Sequence, residues 1–158
     1  MARQQKPTRR LGIETLENRR VMAVFTVDTR VDESDGDFSA GGFSLREAIE
    51  RANLTTASDR IDFRPGMRGS ILLQGSELSI TSSMVIKGPG ADRLTIDAHD
   101  LSRVIQVNTP AAVAIRGVTI KDGRDFSGGG ISAIDSLLTL NSVHVTSNVG
   151  HQRTGRRN

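Results

Sequence analysis

Two groups of side chains in this 158-residue chain have the types and spacing to do chemistry. Asp28, Asp32, Glu33, Asp35 and Asp37 crowd five carboxylates into one short stretch, and clustered carboxylate oxygens are what calcium binds. The spacing is not that of a twelve-residue EF-hand loop. Calcium held by Asp32, Glu33, Asp35 and Asp37 is therefore the metal expectation, set against the plainer reading of a solvated acidic loop. The second group is Asp97, His99 and Asp100, just after a predicted strand, where loop side chains can act as acid or base; its plain reading is a polar turn. Arg103, Arg116 and Lys121 supply cations, but no pair of strand-borne carboxylates accompanies them at matching positions. His144 lies between Val143 and Val145, so period-2 alternation turns it away from the apolar face. Gly88-Pro89-Gly90 and Gly128-Gly129-Gly130 lack the Lys-Ser/Thr of a phosphate loop and read as turns. Asn53-Leu54-Thr55 has the form of a glycosylation sequon. Neither Gly-x-Ser-x-Gly nor His-Glu-x-x-His occurs. No catalytic and no cofactor-binding residue is assigned on these patterns.

These residues must be positioned by strands. Val113, Ile115, Val118 and Ile120 superimpose on Leu138, Leu140, Val143 and Val145 at a shift of 25 residues, with Gly117 on Ser142 and Gly123 on Asn148. Each segment reads apolar-x-apolar, a two-residue turn, apolar-x-apolar, which is strand periodicity. Met84 and Ile86 match Val113 and Ile115 at a shift of 29, with Gly88 on Gly117, then a longer turn before Leu94 and Ile96. Ile105 and Val107, then Ile131 and Ala133, supply a third strand to each turn. One coil covers 84–111 and another 112–136. A third starts at Leu137 with two of its three strands. Ile61 and Phe63, Ile71 and Leu73, and Leu78 and Ile80 mark earlier, shorter strands. A repeat of this length made of three short strands points to an all-β, right-handed parallel β-helix, each coil burying its inward residues against its neighbours. Thr95, Ala114, Thr119, Thr139 and His144 are the expected outward set. An antiparallel sandwich, whose strands also alternate, is the competing fold.

Ser44-Leu45-Arg46-Glu47 is a capping box, and Leu45, Ala48, Ile49 and Ala52 follow on one helical stripe, with Asn53 as a stop. A short helix here would cover the open end of the first coils, as solenoids require. A loop over 35–42 precedes it. The other end has no such cap. His151 and the seven residues after it contain no strand-forming apolar side chain, so the β-helix is expected to be incomplete at its C-terminus, either through truncation of the reading frame or because a partner chain or dimer mate supplies the cap. End-to-end self-association through the open last coil follows from its exposed edge.

Composition narrows the function. There is no Cys, hence no disulfide framework. There is no Trp or Tyr, which weighs against a carbohydrate-processing cleft built on aromatic platforms. Residues 1–20 carry six Lys or Arg against two acids, and 150–158 carry three Arg. The body between them is net acidic although the whole chain is +3, and the basic ends lack aromatics for base stacking, so nucleic acid is not an expected partner. No stretch of about 20 apolar residues exists to span a membrane. The division expected is a basic segment over 1–23, disordered or export-related, a capped β-helix over 24–150, and a disordered basic tail over 151–158.

Residues 43–53, with Ser44-Leu45-Arg46-Glu47-Ala48, resemble the Ser-Leu-Arg-Glu-Ala motif that opens many bacterial surface β-helix proteins, including those described as polymorphic-outer-membrane-protein-like. Residues 84–97 are similar to a first-coil signature of that group, and Gly128-Gly129-Gly130-Ile131-Ser132 to its Gly-rich turn. The likeness covers about residues 25–149. Where the family commonly has Cys before the Ser, this chain has Phe43. Residues 13–23 resemble a Leu-Glu-x-Leu-Glu-x-Arg motif near the start of large secreted planctomycete-type proteins, which implies export or surface sorting; Arg3, Lys6, Arg9 and Arg10 could serve as a positive n-region, although no apolar h-region follows. The resemblance implies a secreted, cell-surface or outer-membrane-associated protein, structural or adhesive and not an enzyme, binding an unidentified surface protein or polysaccharide. The alternative is a remnant of a polysaccharide lyase or hydrolase of the pectin-lyase-like fold.

Overall fold

The computed structural model describes residues 21–150; the expectations for 1–20 and 151–158 lie outside the described residues. In chain order, β1 (Val24–Val27) opens the structure and α1 (Leu45–Asn53) follows. One turn is β2 (Asp59–Phe63), β3 (Gly69–Leu72) and β4 (Leu78–Ile80), and the next is β5 (Met84–Lys87), β6 (Leu94–Asp97) and β7 (Ile105–Val107). The third is β8 (Ala112–Arg116), β9 (Thr119–Lys121), β10 (Arg124–Asp125) and β11 (Ile131–Ala133). The last is β12 (Leu137–Asn141), β13 (His144–Thr146) and β14 (Val149–Gly150).

All strand pairing among the described residues is parallel. The strands form three long faces: β1-β2-β5-β8-β12, then β3-β6-β9-β13, then β4-β7-β11, with a small fourth ladder of β10 and β14. This is a β-solenoid, and the sandwich is excluded because its strands would pair antiparallel. The sequence shift is the register itself: Val113 pairs with Leu138, Ile120 with Val145, and Met84 with Val113. The strands seen only as short precursors form a full coil, with Ile61 against Ile86 and Ile71 against Ile96. The last coil adds no strand to the third face among the described residues, as expected; its short β14 pairs instead with β10 in the fourth ladder.

Stacked β-branched side chains make the core. Ile61, Ile86 and Ile115 form one fully buried column, and Ile71, Ile96 and Ile120 form another. Their restricted χ1 suits a pleated, stacked surface. The first two faces are joined by two-residue turns in the upper coils. Gly117 and Ser142 hold the same left-handed position there, with φ of 61° and 52°; a side chain at Gly117 would meet the Gly88 carbonyl of the coil below. In the lower coils this connection is longer, over 64–68 and 88–93. The second of these turns corrects one expectation: Thr119 is buried, because its Oγ1 donates to the Ala91 carbonyl at 2.6 Å. His144 and Thr139 are exposed as expected.

The helix seals the lower end. Ser44 Oγ accepts from the Glu47 N–H, and Glu47 Oε2 accepts from the Ser44 N–H. Leu45, Ala48, Ile49 and Ala52 are buried in the core. Asn53 donates to the Ser79 carbonyl and accepts from the Thr81 N–H, so its amide stands where a neighbouring strand would be on the edge of β4. The upper end has no such cover among the described residues.

Candidate functional site

The acidic loop does not gather its carboxylates at one point. Asp32 is buried, with Oδ1 accepting from Arg46 Nε at 2.8 Å and Oδ2 from Arg46 Nη2 and the Gln74 N–H. Asp28 is engaged separately, its two oxygens accepting from the Gly41 and Phe43 N–H groups. Asp35 and Asp37 close turns on the N–H groups of Asp37 and Ser39. The hydrogen bonds from Ser39 hold the Asp37 pKa below its ordinary value. Glu33 moves the other way: partial burial, then the charges of Asp35, Glu47 and Asp37, raise its pKa. Each carboxylate among them except Glu33 accepts hydrogen bonds that shape the loop under α1. Among the described residues no three His, Asp or Glu groups lie close enough together to hold a metal ion.

The second group sits at the corner after β6. Asp97 is nearly buried and accepts from the His99 N–H. It lies in register below Lys121, whose Nζ is 3.9 Å from Asp97 Oδ2 and 2.6 Å from Asp122 Oδ2. The hydrogen bond and charge of Asp122 raise the Lys121 pKa, holding it protonated. His99 and Asp100 take left-handed φ of 52° and 59° and are exposed. Asp100 makes a long contact with Arg124, and its N–H donates to the Asp122 carbonyl of the next coil. The corner is thus a stack of polar turns whose carboxylates already have partners. A free base aimed at a shared point would be needed for proton transfer, and Lys121 is pinned as a cation.

Two arginines that the motif reading did not place do the most structural work. Arg103, with a side chain 10% exposed, bridges three coils: Nη1 binds Glu77 Oε2 at 2.7 Å, Nη2 binds Asp125, and Nε donates to the Gly128 carbonyl. Arg46, from the capping box, holds Asp32 and donates to the Ser76 and Glu77 carbonyls. Together they staple one corner from the helix to the third coil. Arg103 is 26 residues from Glu77 and 22 from Asp125. Opposite charges spaced near the repeat length are the sequence signal that would have found this ladder. Arg116 is exposed at the end of β8, in register with Lys87.

One open groove among the described residues runs beside β3 and onto β6. One part, of about 510 Å³, includes Arg30, Arg64, Ser70 and Gln74 in its lining; the adjoining part, about 580 Å³, is lined by Arg68, Gly69, Ser70, Asp92, Arg93 and Thr95. Among the described residues Arg30, Arg64, Arg68 and Arg93 make no ion pair, whereas Arg46, Arg60, Arg103, Lys121 and Arg124 do.

A scan against protein-family models and searches of curated proteins and of solved structures returned no match to this chain.

Proposed function

We propose that this chain is a non-enzymatic, secreted or cell-surface β-solenoid with a structural or adhesive role, akin to the surface β-helix proteins its capping motif resembles. The observation that carries this reading is how its polar groups are used. The buried or half-buried charges at the corners, Asp32, Arg46, Asp97, Arg103 and Lys121, are spent on holding coils together. A catalytic cleft needs acid and base groups left free to face a substrate. A scaffold needs exposed faces and a stack that extends.

The open upper coil supports extension. Leu137, Leu140 and Val145 are 65%, 44% and 50% exposed, and β12 presents an edge to a further strand, from this chain, from a second copy or from a surface partner. Two measurements test the reading. Polygalacturonate and other acidic polysaccharides incubated with the full chain should keep their length; shortening would favour the lyase or hydrolase remnant. Antibody should label intact source cells, and signal only after lysis would remove the surface assignment.

A further inference from the structure

We propose that the arginine groove beside β3 binds a linear glycan bearing sulfate or carboxylate groups. This deepens the adhesive reading above and rests on it for its biological setting, though the site itself stands on separate observations.

The geometry begins with register. Gly69 pairs with Leu94, and the Gly69 N–H donates to the Arg93 carbonyl at 2.8 Å. Arg68 and Arg93 therefore lie one rung apart, at a strand spacing of about 4.8 Å. Ser70 and Thr95 are paired directly and line the same groove. Each rung thus offers a guanidinium and, two residues on, a hydroxyl. Arg30 extends the series downward: its Nη1 lies over Gly69, where φ is 107° and any Cβ would collide with it. Arg64 stands on the adjoining wall.

Like charges placed opposite each other across a sheet destabilise it. Here they stand together with one uncommitted carboxylate near them, Asp92. Asp28 and Asp32 also line the groove but accept from Gly41, Phe43, Arg46 and Gln74. A bound anion relieves this repulsion, and the guanidinium fork matches a planar or tetrahedral oxyanion. The groove is open and sets guanidinium groups from several chain segments, Arg30, Arg64, Arg68 and Arg93, along its length, which suits an extended polymer bearing several anions better than a single small ion. Hydroxyls beside each guanidinium suit a sugar. Bases would require aromatic stacking surfaces, and the chain has no Trp or Tyr.

The test is binding of the full chain, at about 0.15 M salt to screen the basic ends, to dextran sulfate, polygalacturonate, neutral dextran and poly-glutamate. Binding to either anionic glycan, with little to neutral dextran or poly-glutamate, is expected, and the preferred glycan identifies the anion. Arg68→Ser with Arg93→Ser should weaken it at least about tenfold. Lys87→Ser with Arg116→Ser removes the same charge from another exposed, in-register pair and should change it less than about twofold. Arg68→Lys with Arg93→Lys keeps charge without the fork and should fall between the Ser pair and the unaltered chain. Circular dichroism checks that each variant stays folded. Equal losses in both Ser pairs, no loss in either, or poly-glutamate binding as tight as the glycans would overturn the proposal. Cleavage of the polymer would refute the non-enzymatic reading while leaving the groove in place.

Discussion

The two ends of the stack are built from the same kind of coil and meet water differently. At the lower end α1 lays Leu45 and Ile49, each 1% exposed, over the first coil, and Asn53 replaces a missing strand partner. At the upper end Leu138 and Leu140 occupy the positions of Val113 and Ile115 one rung on, yet Leu138 is half-buried and Leu140 exposed. The side chains are equivalent in type and register. What differs is whether anything lies beyond them. In a solenoid, a residue's contribution is therefore set less by its place in the repeat than by its distance from an open end. Residues 137–150 also carry no Asp, Glu, Lys or Arg, so the open edge lacks the charges with which edge strands usually discourage pairing.

Truncations at the two ends sharpen this contrast most. Leu45→Ala should cost about 2–5 kcal/mol, whereas Leu140→Ala should cost under about 1 kcal/mol, since much of its area is already in water; urea denaturation of both variants measures the difference, and equal costs would break the comparison. Arg103→Met leaves Glu77 and Asp125 without their cation and the 127–128 carbonyls without a donor. Both carboxylates are partly solvated, so a loss of about 2 kcal/mol is expected, less than for a fully enclosed pair. Ser44→Ala removes the cap and should cost about 1 kcal/mol, seen as faster hydrogen exchange confined to α1 and the coil beneath it. The smallest effect is electrostatic. The Glu33 pKa is raised in the folded chain, so its ionised form disfavours folding at neutral pH, and this penalty fades as pH falls through the folded pKa. Glu33→Gln should melt slightly above the unaltered chain at pH 7 and together with it below pH 4.5, the ordinary value. An advantage that persisted in acid would mean that the effect is not ionisation.

The sequence carried the fold in its repeat because parallel, in-register stacking places residue i over a residue about one coil away. Ile115 and Leu140 could be matched by eye since the turn between their strands has two residues in both coils. The first full coil is harder to see, although Ile61 and Ile86 keep the same shift of 25, because the five-residue turn over 64–68, Arg-Pro-Gly-Met-Arg, interrupts the alternation between its strands. Thr119 looked outward by alternation, which says nothing of a turn from the coil below folding over it. The acidic residues were visible as a cluster. The burial of Asp32 depends on Arg46 and the Gln74 N–H, 14 and 42 residues away, and the tie of Asp28 on the Gly41 and Phe43 N–H groups, 13 and 15 residues away. The groove was least legible, because Arg68 and Arg93 meet only once the longer lower turns are placed in register.

That register also bears on how the chain reaches its structure. Nearly every strand pairs with one about a single coil earlier, so each new contact closes a loop of roughly constant length, and the closure entropy grows only slowly with loop size. No step waits for the two ends of the chain to find each other. With α1 and β1 near the beginning, a growing polypeptide can finish its lower cap first and then wind on one coil at a time as it emerges, each completed turn serving as the template for the next.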